Sequence, residues 1–171
     1  MRAFFLRPDI PPGGQVRQQR PGDPEPGQPL TGHIGDYARE AGIIMNRAPK
    51  TSYTRPALEA TEYARAHGDV EPFHGLLLKA YWEDGKDLED PQVLRAAAEA
   101  SGLEWLDMER SLKDGTYTEN VDEQMEEAQH MGINGIPAFI VGNKYLIMGA
   151  QPYDYFKMVL DRVIQERENG E

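Results

Sequence analysis

The sequence predicts an α/β protein in which a short strand and a late β-hairpin enclose a large block of helices. Three observations carry that prediction. Between Asp36 and Met131, apolar residues recur at three- and four-residue spacing, punctuated by cap residues and glycine stops. At Ala138 the pattern changes to two apolar runs around Gly142-Asn143. The length, 171 residues, suits one domain with a subdomain inserted in it.

Taken in order, Arg2 to Leu6 read as a short strand ended by Pro8. Pro11 to Gly32 is rich in Pro, Gly, Gln and Arg with almost nothing to bury, so an exposed, mobile loop is expected. Asp36 reads as the cap of a short helix ending at Gly42, followed by the apolar Ile43-Ile44-Met45. Thr54 with Pro56 opens a helix that stops near Gly68. Asp69 and Pro72 open the next, with Phe73, Leu76, Leu77, Ala80 and Tyr81 on one face. Asp90-Pro91 starts a helix closed by Gly102. Trp105, Met108 and Leu112 mark another ending at Gly115, and Thr118 starts one that stops at Gly132. Ala138–Val141 and Lys144–Met148 then form a hairpin, its tight turn needing positive φ at Gly142. Pro152 opens a last helix carrying Phe156, Val159, Leu160, Val163 and Ile164 on one side. Because the helical block lies between strands expected to share a sheet, it reads as an insertion.

Composition narrows the function. A net charge of −11 disfavours nucleic acid and anionic membrane surfaces as partners. No run of about 18 apolar residues could span a bilayer. The first residues carry no signal-peptide pattern, so the default compartment is the cytoplasm. There is no cysteine at all, which removes disulfides, thiolate metal sites, a cysteine nucleophile and every CxxC mechanism from these residues.

Gly132-Ile133-Asn134-Gly135-Ile136-Pro137-Ala138-Phe139-Ile140-Val141 resembles the "GvxGvPtFvv" segment of DsbA-type thioredoxin-fold proteins. The hairpin with Gly149-Ala150-Gln151-Pro152 resembles the FrnE-type branch, as do Phe5-Leu6-Arg7-Pro8-Asp9 and the stretch Lys79 to Asp90. The resemblance implies a thioredoxin-like fold lacking its first strand and its CxxC-bearing helix, a unit of roughly 30 residues. It divides the chain into a partial thioredoxin-like domain, 1–31 with 132–171, and an inserted helical subdomain, 32–131.

The strand formed by residues 2–6 must then pair directly with the hairpin, exchange with a second copy in a homodimer, or receive a strand from another chain. Clipping at an internal methionine is favoured over natural loss of the segment, since losing an interior strand is costly to a sheet.

The implied function is thiol–disulfide exchange with the nucleophile absent from this chain, leaving no catalytic residue here. The alternatives are a redox-inactive module that binds peptides or a partner, and a glutathione-dependent relative of the isomerases and kappa-class transferases. The implied binding residues are Gly135, Ile136 and Pro137. Ile136-Pro137 stands for the family's cis-proline, where the backbone before the proline pairs with a peptide or small thiol ligand.

No cofactor and no metal are called for. His33, His67, His74 and His130 lack ligand spacing. Glu83, Asp84, Asp87, Glu89 and Asp90 miss the calcium-loop pattern and read as a solvated turn with a helix cap.

Overall fold

The computed structural model describes residues 1–170, which form two compact units, 1–123 and a second beginning at Gln124. In chain order the elements are β1 (Gln15–Val16), α1 (Gly32–Glu40), β2 (Lys50–Thr51), α2 (Arg55–His67), α3 (Val70–Trp82), α4 (Pro91–Ala100), α5 (Trp105–Lys113), α6 (Thr118–His130), β3 (Ala138–Val141), β4 (Tyr145–Met148) and α7 (Tyr153–Glu168).

The core of the first unit lies among α2, α3, α4 and α5. Ala60 and Ala64 on α2 are fully buried, and such small residues let neighbouring helices approach closely. Phe73, Leu94, Ala98 and Met108 fill the space between them and are themselves inaccessible or nearly so. Each large apolar side chain buried this way contributes about 1.5–3 kcal/mol. The caps read from the sequence are present at two helices. The Asp69 carboxylate accepts from Glu71 N–H at 3.1 Å, and that of Asp90 from Gln92 N–H at 2.9 Å.

Two expectations fail in this unit, and a third is met with an addition. Residues 2–6 belong to neither sheet. They run along α2 instead, where Arg65 donates to the Met1 carbonyl at 2.9 Å and the Arg55 guanidinium lies 5.0 Å from the Phe5 ring centre.

The loop after Pro11 is largely exposed, as expected, and it also carries defined pairings. Its β1 pairs antiparallel with β2, in register Gln15↔Thr51 and Val16↔Lys50. The nearly buried Arg47 gathers the following turn, donating to Gln18 O (3.0 Å), Pro24 O (3.2 Å) and the Gln19 side chain. Its own N–H donates to Gln28 O, and its carbonyl accepts from Gly27 N–H, both at 2.8 Å.

Finally, α1 starts at Gly32, so Asp36 is not its cap but an outer-face residue paired with Arg39 at 3.1 Å. Gly35 explains the misreading. A Cβ there would sit 2.0 Å from the Leu30 carbonyl oxygen, so close packing puts a glycine inside the helix.

In the second unit, α6 ends at His130, Gly132 just beyond it has a φ of +72°, and Ile133 N–H returns to Ala128 O at 2.9 Å. β3 and β4 pair antiparallel from Ala138↔Met148 to Val141↔Tyr145. Gly142 (φ +63°) and Asn143 (φ +56°) both take the left-handed conformation, and Lys144 N–H donates to Val141 O at 3.2 Å. The turn thus needs positive φ at two positions, not one, and β4 begins at Tyr145 rather than Lys144.

On one sheet face Phe139 meets Phe156 of α7 edge-on at 4.9 Å, and Ile147 is buried. A Cβ on Gly142 would fall 2.7 Å from a Val163 methyl, so the turn lies directly on that helix. Of the predicted inward stripe, Phe156, Val159 and Val163 are at least half covered, whereas Leu160 and Ile164 are about half exposed. A two-stranded sheet is too narrow to cover the full apolar width of α7.

Candidate functional site

The connection from α6 to β3 carries the three residues singled out in the sequence. Gly132 stops the helix, Asn134 is exposed, and the Ile136–Pro137 peptide bond is cis. The Pro137 carbonyl accepts from Gly149 N–H at 2.8 Å, which ties the start of β3 to the end of β4. Gln151 secures the other side of that junction, its side-chain amide donating to Met148 O at 2.8 Å.

Ile136 itself is more than half exposed. Among the described residues its N–H and C=O make no hydrogen bond. The segment therefore presents one unused donor and one unused acceptor beside a fixed strand end. The adjoining sheet face, opposite α7, carries Ala138, Ile140, Leu146 and Met148, and Ile140 and Leu146 remain open to solvent. Chemically, this arrangement can pair with an extended backbone and accept apolar side chains.

The structure does not bring the histidines together. His67 stacks on Tyr63 at 4.0 Å, and His33 lies beside Tyr37. His74 is held below its ordinary pKa mainly by burial, and His130 is exposed at the end of α6. Among the described residues no cluster of His, Asp and Glu could hold a metal ion.

Four of the carboxylates around Gly85 have structural partners, and Glu83 takes part through its main-chain carbonyl, which accepts from the Asn46 side chain at 2.9 Å. Asp87 faces Lys50, Asp84 pairs with Lys86 at 3.1 Å, and Asp90 caps α4. Glu89 accepts from Gly13 N–H through both oxygens, at 2.8 and 3.0 Å. Burial pushes the Asp87 carboxyl up, but hydrogen bonds from Lys50 and Ser52 outweigh it and leave the group below the usual range. A shallow cleft of about 630 Å³ opens beside this turn, floored by Leu76, Ala80, Val93 and Ala97.

The sequence reading missed the buried polar seam of α2. There Glu59 accepts from the Thr118 hydroxyl at 2.9 Å, and Arg55 holds Asp122 at 2.7 Å. A helix face that alternates alanine with glutamate gives no sign that the glutamates are inside; only the partner helix shows it.

Comparison with known proteins follows the same lines. The model of the DSBA-like thioredoxin domain matches residues 1–161. The uncharacterised protein YwbO of Bacillus subtilis is 25% identical over 131 residues, 74% of this chain and 64% of that protein. The thiol:disulfide interchange protein DsbL of Escherichia coli O6:H1 is 32% identical over 69 residues, 40% of this chain and 30% of DsbL. A solved structure, a probable DsbA oxidoreductase from Streptomyces coelicolor, superposes with a TM-score of 0.69 at 22% identity. It covers 78% of this chain and 58% of that one, and it establishes likeness of fold. The chain thus spans less than two thirds of each of these relatives.

Proposed function

We propose that this chain, which belongs to the DSBA-like thioredoxin domain family, supplies the ligand-holding edge of a FrnE-type thiol–disulfide oxidoreductase. The observation that carries the reading is the Gly135–Ile136–Pro137 segment. Its Ile136 backbone is unused while Pro137 is anchored to Gly149. An extended peptide pairing with Ile136 would add a short strand there, with its side chains meeting the open Ile140 and Leu146 face.

Thiol–disulfide exchange begins with attack by a thiolate. These 171 residues contain no cysteine, so their share of such a reaction is to hold the substrate. The Gly149-Ala150-Gln151-Pro152 stretch supports the FrnE type over the glutathione-dependent relatives. A cytoplasmic setting, a strand donated by a second copy or another chain, and the division into 1–31 with 132–171 and 32–131 belong to the same proposal.

The test is a titration of isotopically labelled chain, followed by amide chemical shifts, with an extended thiol-free peptide and separately with glutathione. The peptide should shift Gly135, Ile136 and Ala138, and Ile136→Asp should abolish those shifts while leaving the spectrum folded. If the peptide leaves these amides unmoved at millimolar concentration, or glutathione alone moves them, the reading is wrong.

A further inference from the structure

We propose that Asn134 is a spontaneous deamidation site, converting to aspartate and isoaspartate two residues before Ile136. The chain contains two Asn-Gly pairs, Asn134–Gly135 and Asn169–Gly170. In such a pair the main-chain nitrogen of the glycine can attack the asparagine side chain, because no Cβ obstructs the approach.

The structure treats the two pairs differently. At the C-terminal end of α7, Asn169 N–H donates to Gln165 O at 3.1 Å, and Gly170 N–H donates to Arg167 O at 3.3 Å. The second nitrogen is the would-be nucleophile, and it is occupied. Asn134 sits exposed in the irregular connection to β3. Among the described residues, neither its side chain nor the Gly135 N–H makes a hydrogen bond. A Cβ built on Gly135 meets nothing within 4 Å, so the glycine's Cα borders open space.

The step balances with water alone. The Gly135 nitrogen bonds to Cγ of Asn134, the Cγ–Nδ2 bond breaks, and the Gly135 N–H proton passes through solvent to the departing ammonia. The succinimide then takes up one water. Opening at Cγ gives aspartate. Opening at the α-carbonyl carbon leaves the chain running through the side chain as isoaspartate. Either product adds a carboxylate beside the segment, and the second also lengthens the backbone leading to Ile136. Any consequence for ligand binding rests on the function proposed above; the chemistry is measured without a ligand.

The experiment ages the full chain at mildly alkaline pH and maps both sites by peptide mass, with isoaspartate identified by enzymatic methylation. Asn134 should convert several-fold faster than Asn169, and the difference should vanish when the chain is aged in denaturant. Asn134→Gln and Gly135→Ala should each remove the product. The alanine fits, since Gly135 is outside the left-handed region and its Cβ would touch nothing. Conversion at Asn169 ahead of Asn134, or an undiminished rate in Gly135→Ala, would overturn the proposal.

Discussion

Arg47→Met removes the group that gathers the turn after β1 while keeping most of the side-chain volume. Only 6% of the Arg47 side chain is exposed, and its guanidinium donates to two main-chain carbonyls, Gln18 O at 3.0 Å and Pro24 O at 3.2 Å. It also faces the Asp23 carboxylate at 3.4 Å. A hydrogen bond from a charged donor contributes about 1.5–3 kcal/mol. The two carbonyls regain some water if the turn swings out, so the expected loss is about 3 kcal/mol rather than their full sum. For a chain of this size that lowers the melting temperature by roughly 6–12 °C. Hydrogen exchange should localise the effect, with amides of residues 18–28 losing protection while those of α3 and α4 keep theirs. Arg47→Lys keeps the charge near Asp23 but not the forked geometry, and should fall between. A methionine variant that melts with the parent chain and exchanges normally at 18–28 would refute the assignment of Arg47 as the organiser of this turn.

Three further outcomes are expected. Phe73→Ala, at the fully buried centre of the helical core, should destabilise the first unit by about 3–5 kcal/mol in denaturant unfolding; a loss below 1 kcal/mol (about the value for a half-exposed site) would contradict the packing. Glu166 accepts from the Tyr145 hydroxyl, Lys144 and Arg162, which hold its pKa at about 2. Its folded pKa lies below the unfolded one, so this stabilisation is present above the ordinary carboxylate range and is lost as pH falls toward about 2. Glu166→Gln should flatten that acid limb, as read by melts across pH. His74 acts in the same direction at higher pH. Burial favours its neutral form, so stability falls as pH drops below the ordinary histidine value and the unfolded chain takes up the proton first. His74→Gln should remove that slope, and an unchanged pH profile would show that His74 is not its source.

Much of the helical unit was legible because its signals are local. Asp69 and Asp90 announce helix starts by their own chemistry, and Gly102 and Gly132 announce stops. What could not be read depends on distant partners. Phe5 belongs to an apolar run that fits a strand equally well, until Arg55, fifty residues away in sequence, takes its ring face. Two-residue strands such as β1 and β2 leave no periodicity to detect. Arg47 carries the residue type most often found outside, and nothing beside it in the sequence betrays its burial. The candidate site was legible as a motif at Gly135–Pro137. The anchoring of Pro137 by Gly149, which leaves Ile136 as the free position, required the folded hairpin.

The contact between Gly142 and Val163 has a consequence for alignment. Strands usually index themselves by alternation, since a one-residue slip would turn apolar side chains to water. Here Ala138-Phe139-Ile140-Val141 and Tyr145-Leu146-Ile147-Met148 are apolar on both faces, so that check is weak. The helix supplies it instead. Sliding either neighbour into the place of Gly142 would drive a Cβ into the Val163 methyl, so only one setting of the hairpin seats on α7. The turn works as a keyway: beyond what its own geometry sets, a hairpin paired out of register does not seat on α7.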